Sequence, residues 1–323
     1  MRISVVVPAR EDERPPTEAV QVASLADRLG YGEVWVGEGP TWDGFVLATA
    51  IGLATERITV TVGPLAVSVR DPVTIVRGAA SSAALTGRPI GVALGTSSVR
   101  VVEGLHGRSR ARAATVLADT AGAVERMLSN EGAEEWSEAS HGFRRRLASP
   151  GGQLTVAAFG DRAIVVAANH ADRMVLDAVS PEQVRELRTK LDAAASEAGR
   201  RPPTLAAWLP TAVDPDQASR DQLLRSIVGY LTVHGYSEML TGAGFGEAVQ
   251  MARAGVGSTE LLTALPDDAA SAVGLVGDVA TVRERMLDYA AAGLDEVAIV
   301  PATAGDPGGE RTLTVLAGLQ QMS

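Results

Sequence analysis

Ionisable and small polar residues gather in a few short segments of this 323-residue chain. Glu38 is followed closely by Trp42 and Asp43, and Glu103 stands three residues before His106. A histidine titrates near neutrality and is a ready proton donor, and the two glutamates are alternative acids. In a Gly-Leu-His-Gly turn the same histidine also serves as plain turn structure, and Glu38 reads equally as a helix cap or a solvated carboxylate. Gly95-Thr96-Ser97-Ser98 offers amides and hydroxyls that approach a flat or anionic ligand closely, or it simply turns the chain. Ala158-Phe159-Gly160-Asp161-Arg162 leads from an apolar run into a helical pattern, where free amides and the helix dipole suit a phosphate. Asp161 is unfavourable there unless it caps the helix, with Arg162 compensating. Arg70, Arg100 and Arg108 lie in loops where they are free to meet anions. Trp42 reads as a pocket wall, with Asp43 and Arg70 beside it.

The elements that must position these residues are short. Apolar runs at Ile3–Val7, Glu33–Val36, Ile58–Gly63, Ile90–Leu94, Leu154–Ala158, Arg173–Asp177, Thr204–Leu209 and Glu296–Val300 predict strands, alternating with alanine-rich helical patterns. Asp71–Pro72 signals a helix start, with Asp as N-cap and Pro in the first turn, and Gly87 signals its end. Eight strands separated by helices predict an α/β protein, a (β/α)8 TIM barrel in one domain spanning 1–323, whose active-site loops follow the strands. Two segments break the rhythm. Residues 130–152 read as an irregular insertion, and residues 214–277 as a helical insertion or cap after strand 7, or as part of a dimer contact. Trp136, Phe143, Tyr230, Tyr236 and Phe245 are the aromatic anchors of these two segments.

Composition narrows the classes. Hydrophobic residues make up 46% and aromatics 4% of the chain, so the core is aliphatic. With no cysteine, disulfides, thiolate metal sites and cysteine nucleophiles are excluded, and the four scattered histidines lack metal-ligand spacing. The net charge of −10 carries no basic run, which excludes nucleic acid as the expected partner. No apolar run reaches the length of a membrane span and the chain enters a strand at once, so the expectation is a soluble, cytoplasmic protein.

Four blocks in order carry a family resemblance. These are LADRLGYGEVWVGE at residues 25–38, LTGRPIGVALG at 85–95, VVEGLHG at 101–107, and AAFG at 157–160 followed by ANHAD at 168–172. Together they resemble the luciferase-like monooxygenase superfamily, in particular its coenzyme F420-dependent branch. Val276–Pro301 is similar to that family's last βα unit, and residues 200–275 show no match.

The resemblance implies a barrel of the bacterial luciferase-like type with the deazaflavin at the carboxyl ends of the strands, and hydride transfer between its C5 and a small organic substrate. It further implies no metal, no covalent nucleophile and a homodimer formed by an alanine-rich outer helix pair. Gly63-Pro64 would then support the ring from behind, in a cis bond or bulge. Gly95, Thr96, Ser97 and Ser98 would line its polar edge, and Ala158 to Arg162 its phosphate. Glu38, Glu103 and His106 become the candidate proton donors, although Gly39 stands where one subgroup has histidine. An FMN-dependent monooxygenase of the same superfamily is the alternative, and a non-catalytic flavin- or deazaflavin-binding barrel the second.

Overall fold

β1 (Arg2–Val6) leads into α1 (Thr17–Leu29), which ends at Gly30 in the left-handed conformation that a glycine adopts freely. The same strand-then-helix step repeats in β2 (Glu33–Val36), α2 (Gly44–Ala54), β3 (Thr59–Ala66), α3 (Pro72–Thr86), β4 (Ile90–Gly95) and α4 (Ala113–Leu128). It continues through β5 (Gly151–Ala157), α5 (Asp161–His170), β6 (Arg173–Asp177), α6 (Pro181–Glu197) and β7 (Thr204–Val213). After β7 the rhythm pauses for α7 (Gln217–Tyr230), α8 (Tyr236–Leu240), α9 (Gly246–Arg253), α10 (Ser258–Ala264) and α11 (Ala269–Ala272). It resumes with β8 (Leu275–Gly277), α12 (Val279–Ala291), β9 (Glu296–Pro301) and α13 (Glu310–Gln321). This computed structural model describes residues 1–8, 15–129, 148–266 and 268–321. Most of the predicted 130–152 insertion, with Trp136 and Phe143, lies outside the described residues.

All strand pairings are parallel, in the order β6-β5-β4-β3-β2-β1-β9-β7, and β6 pairs with β7 to close an eight-strand ring. The eight predicted strands are the eight barrel strands. β8 is an addition that pairs only with the outer end of β7 (Thr211 to Val213), and its three residues are too few to show a period. Asp71 caps α3 through the Thr74 amide at 3.0 Å, Pro72 begins the helix and Gly87 ends it, as the residues predict. The long insertion after β7 has its own small core, in which Leu223, Ile227, Leu240, Phe245 and Leu261 are buried.

Inside the ring, alternate residues of each strand face the axis and stack in layers. At the amino end of the strands lies a polar plug. The guanidinium of Arg173 uses all five N–H groups: on both oxygens of Glu33 (2.7 and 2.8 Å), on Glu296 (2.9 Å), and on the Thr61 and Thr155 hydroxyls (3.2 Å each). It also lies 4.0 Å over the Trp35 ring, whose indole N–H donates to Ser4 at 3.0 Å. Burial opposes ionisation of Glu33, but Arg173 outweighs it and holds that carboxyl below its ordinary pKa. Above the plug comes an apolar layer of Val6, Trp35, Ala93, Val175, Ala206 and Ala298. Ala157, Trp208 and Val300, higher again, are only partly buried. The barrel is packed below and open at its carboxyl end.

Candidate active site

Towards that open end four successive strands carry small residues: Gly37 after β2, Gly63 within β3, Gly95 closing β4 and Ala157 closing β5. A Cβ on Gly95 would sit 3.1 Å from Pro64 Cβ and 3.6 Å from Ala157 Cβ, and one on Gly37 would sit 3.5 Å from the Trp208 ring. Gly63-Pro64 is a cis peptide, and the β3–β4 register shifts there between Val62 and Leu65. Both forms expected of this junction, cis bond and bulge, are present together. Gly63 has φ +121°, and a Cβ would run into the Ala93 carbonyl oxygen, so the close approach of β3 to β4 requires glycine. Two buried polar atoms at this end, Trp208 Nε1 and Ser68 Oγ, have no hydrogen-bond partner among the described residues.

The loop after β4 is held from behind. Arg110 donates from Nε to the Ser97 carbonyl at 2.8 Å and from Nη2 to Thr96 Oγ1 at 3.1 Å. Ser97 has φ +54°, a left-handed conformation that this grip helps to fix. Ser98 Oγ accepts from the Val101 amide at 3.3 Å and opens a π-helical turn at Arg100–Leu105, where the sequence suggested only a loop. Glu103 and His106 ride on this turn and are exposed; Glu103 accepts from the Arg110 amide at 3.1 Å. Arg110 was not among the arginines singled out from the sequence. Its spacing from Thr96 becomes meaningful only once the π-helical turn folds the chain back.

Helix starts around the mouth differ in a way that bears on anion binding. Asp43 caps α2, Asp71 caps α3, and Ser180 with Gln183 forms a capping box on α6. α5 has Gly160 at its cap and no side-chain cap bond, so its first amides remain free for a ligand. The expectation that Asp161 caps this helix is corrected. Asp161 is its first helical residue, and its carboxylate turns outward to Lys190 at 2.8 Å, the neutralising role anticipated for Arg162. Ala158 and Phe159 form the approach to the helix, and Arg162 is exposed.

Glu38 is not free. Arg70 engages its carboxylate through Nε (2.6 Å) and Nη2, and the same Nη2 reaches Asp43 at 2.6 Å. Asp43 accepts the Phe45 and Val46 amides at 2.9 and 3.1 Å. Burial pushes its pKa up, but Arg70 and these amides outweigh that and leave it below the ordinary value. Trp42 walls a small cavity with Pro8, Gly37 and Pro40.

One inward-facing acid was missed. Arg173, Val175 and Asp177 share the inner face of β6, and Asp177 stands at the mouth. Tyr236 Oη donates to Asp177 Oδ2 at 2.8 Å. Tyr230 stacks on Tyr236 (centroids 4.2 Å apart, 8° between planes), and Phe159 meets Tyr236 edge-on at 4.9 Å. Burial raises the Asp177 pKa to about 6 against the opposing hydrogen bonds of Tyr236, Tyr230 and the Ala178 amide. The period-2 pattern from Arg173 to Asp177 was the available signal. No group of three or more histidine, aspartate or glutamate side chains is placed to hold a metal among the described residues.

A family model described as luciferase-like monooxygenase matches residues 1–296. Among solved structures, the chain is similar to the coenzyme F420-dependent tetrahydromethanopterin reductase from Methanopyrus kandleri, at 15% identity and TM-score 0.77, covering 98% of both chains. An F420-dependent secondary alcohol dehydrogenase in complex with an F420–acetone adduct gives the same identity and TM-score, over 98% of this chain and 97% of that one. The oxygenating constituent of 3,6-diketocamphane monooxygenase from Pseudomonas putida, in complex with FMN, gives 15% identity and TM-score 0.67 over 98% and 96%. At these identities the likeness shows the fold. No curated protein matches.

Proposed function

The chain belongs to the luciferase-like monooxygenase family, and from that premise we propose that it is a coenzyme F420-dependent oxidoreductase acting on a small organic substrate. The observation that carries this reading is the bed of small residues at the barrel mouth. Gly37, Gly63, Gly95 and Ala157 keep large side chains away from Pro64 and Trp208, and the indole N–H of Trp208 has no partner among the described residues, which suits a planar ring with polar edges. The uncapped start of α5 receives the phosphate, with Ala158, Phe159 and Arg162 around it. Thr96, Ser97 and Ser98, fixed by Arg110, meet the polar edge. Bound there, the reduced deazaflavin supplies a hydride at C5.

Trp42 and the Glu38–Arg70–Asp43 cluster form the substrate side. Glu38 is taken up in its pairing with Arg70, so its part in this reading is to hold that guanidinium at the substrate side. Glu103 and His106 stand at the rim. The choice of F420 over FMN is supported by the higher TM-scores of the two F420-dependent structures, 0.77 against 0.67 for the FMN-bound one. The FMN-dependent monooxygenase remains the second reading on the strength of that FMN-bound likeness. We also propose a homodimer through α2, whose outward stripe of Val46, Ala50 and Leu53 is apolar and exposed.

Titration of the purified protein with oxidised F420 and with FMN, followed by fluorescence quenching, tests the assignment. F420 is expected to bind and, once reduced, to pass hydride to members of an enone, nitroaromatic, imine and carbonyl panel. Tight FMN binding with no response to F420 would overturn it. F420 binding with every probe left unreduced would leave a barrel that only holds the cofactor.

A further inference from the structure

We propose that Asp177, held by Tyr236, is the proton donor of this site. The inference rests on the hydride-transfer reading above and deepens it. Its place in the barrel and its surroundings carry it. Asp177 occupies the last inward position of β6, two residues beyond Val175, and its register partner on β7 is the mouth residue Trp208. Its surroundings are aromatic in a chain that is only 4% aromatic: Phe159 from the β5 loop, Trp208 from β7, and Tyr230 and Tyr236 from the insertion. All four are partly exposed, so the cluster lines an opening instead of closing a core.

Among the described residues no cation acts on this carboxyl. The groups acting on it are the two tyrosine hydroxyls and the Ala178 amide, with no lysine, arginine or histidine among them. His234 and Glu238, on the same segment as Tyr236, pair with each other at the surface at 3.2 Å. Burial first, and then the Asp177 charge, push the Tyr236 pKa well above its ordinary value, so Tyr236 stays a protonated donor throughout. Glu38 is held by Arg70, whereas Asp177 is free to carry a proton near neutrality. An acid with that range is matched to general acid catalysis.

The chemistry balances for a substrate with a polar double bond, C=X. Reduced deazaflavin held at the mouth would supply a hydride to the substrate carbon, with the C=X π electrons moving to X. X then takes the proton of the Asp177 carboxylic acid, whose O–H bonding pair stays on the carboxylate. Tyr236 donates its hydrogen bond to the carboxylate so formed, and solvent returns the proton. Oxidation runs the same steps backwards.

Two measurements test this. In the full-length protein with carbon-13-labelled aspartate, one side-chain carboxyl is expected to titrate at about pH 6, to vanish in Asp177→Asn and to move higher in Tyr236→Phe, which removes a bond favouring the ionised form. Titration of Asp177 with the ordinary aspartates, near a pKa of about 3.9, would overturn the proposal. In the F420-loaded protein, on any probe the wild type reduces, Asp177→Asn is expected to lower kcat roughly 10²–10⁴-fold, with the Kd for F420 unchanged. A variant that keeps its kcat would overturn the proposal equally. Failure of F420 to bind the wild type would strike the cofactor reading alone, and the aspartate titration would still judge Asp177.

Discussion

Arg173→Met is the most direct challenge to the polar plug beneath the site. The substitution keeps most of the side-chain volume and removes five hydrogen bonds, among them a bidentate pairing with Glu33 and a bond to Glu296, together with the contact with Trp35. Arg173 is fully buried and the Glu33 side chain only 18% exposed, so the two carboxylates are left with little water to replace their partner. Breaking a buried pair from one side costs about 3–5 kcal/mol. At about 2.1 cal/mol/K per residue, the unfolding entropy of a chain this long is about 0.7 kcal/mol/K, so the melting temperature falls by about 4–7 °C. The sign with pH is specific. In the wild type the Glu33 pKa is lowered, so its contribution is full above the unfolded value and is lost as pH falls through the folded one. In the variant the orphaned Glu33 carboxyl takes up a proton more readily folded than unfolded, so the deficit narrows as pH falls from 7 towards 4. Thermal melts by circular dichroism at several pH values measure both effects. A melting temperature within about 1 °C of wild type at pH 7, or a deficit that widens on acidification, would refute the reasoning.

Two further outcomes follow from the site and its outer face. Arg110→Ala releases Thr96 and the Ser97 carbonyl, and the loss of charge-assisted bonds worth about 1.5–3 kcal/mol should weaken F420 binding about tenfold or more with little change in melting temperature. Fluorescence titration reads this, and an unchanged Kd would separate the loop from the cofactor. Leu53→Glu places a charge in the exposed apolar stripe of α2, where Leu53 is 68% exposed. Sedimentation velocity should show a wild-type dimer and a variant shifted to monomer, and a monomeric wild type at micromolar concentration would remove the proposed interface.

What the sequence made legible is the backbone. β4 reads as a strand because all six of its residues are apolar or glycine and end buried. Asp71–Pro72 and Gly87 bound α3 by local chemistry alone, and the small residues at 63, 64 and 95 stand where the strands end. Side-chain partnership across the barrel was not legible. Arg173 meets Glu33 and Glu296 at separations of 140 and 123 residues, and only ring closure brings them together. Glu38 was a candidate proton donor as an acid at the end of the second strand, where the family resemblance places such groups; its partner, Arg70, comes from beyond the far end of β3. Asp177 was passed over. Its neighbours in sequence make it an ordinary strand-end carboxylate, and the tyrosines that define its acidity belong to an insertion with no recognisable pattern.

One strand face thus treats charge in two opposite ways, and the geometry explains why both persist. Arg173 and Asp177 are four residues apart on β6, about 13 Å at strand rise, with Val175 and the apolar layer around Trp35 between them. An isolated guanidinium at that distance would still favour ionisation of Asp177 by about 1 kcal/mol at an effective dielectric of 20. The plug does not present an isolated guanidinium. Two glutamates surround Arg173, and Arg2 reaches Glu296 at 3.2 Å, so two positive and two negative charges cancel below the apolar layer. With that field removed, desolvation and the tyrosine hydroxyls set the affinity of Asp177 for its proton. Acidity at the mouth therefore depends on the insertion that carries Tyr230 and Tyr236, and a change in how that insertion seats would alter the proposed proton supply without touching the small residues of β2 to β5 proposed to seat the ring.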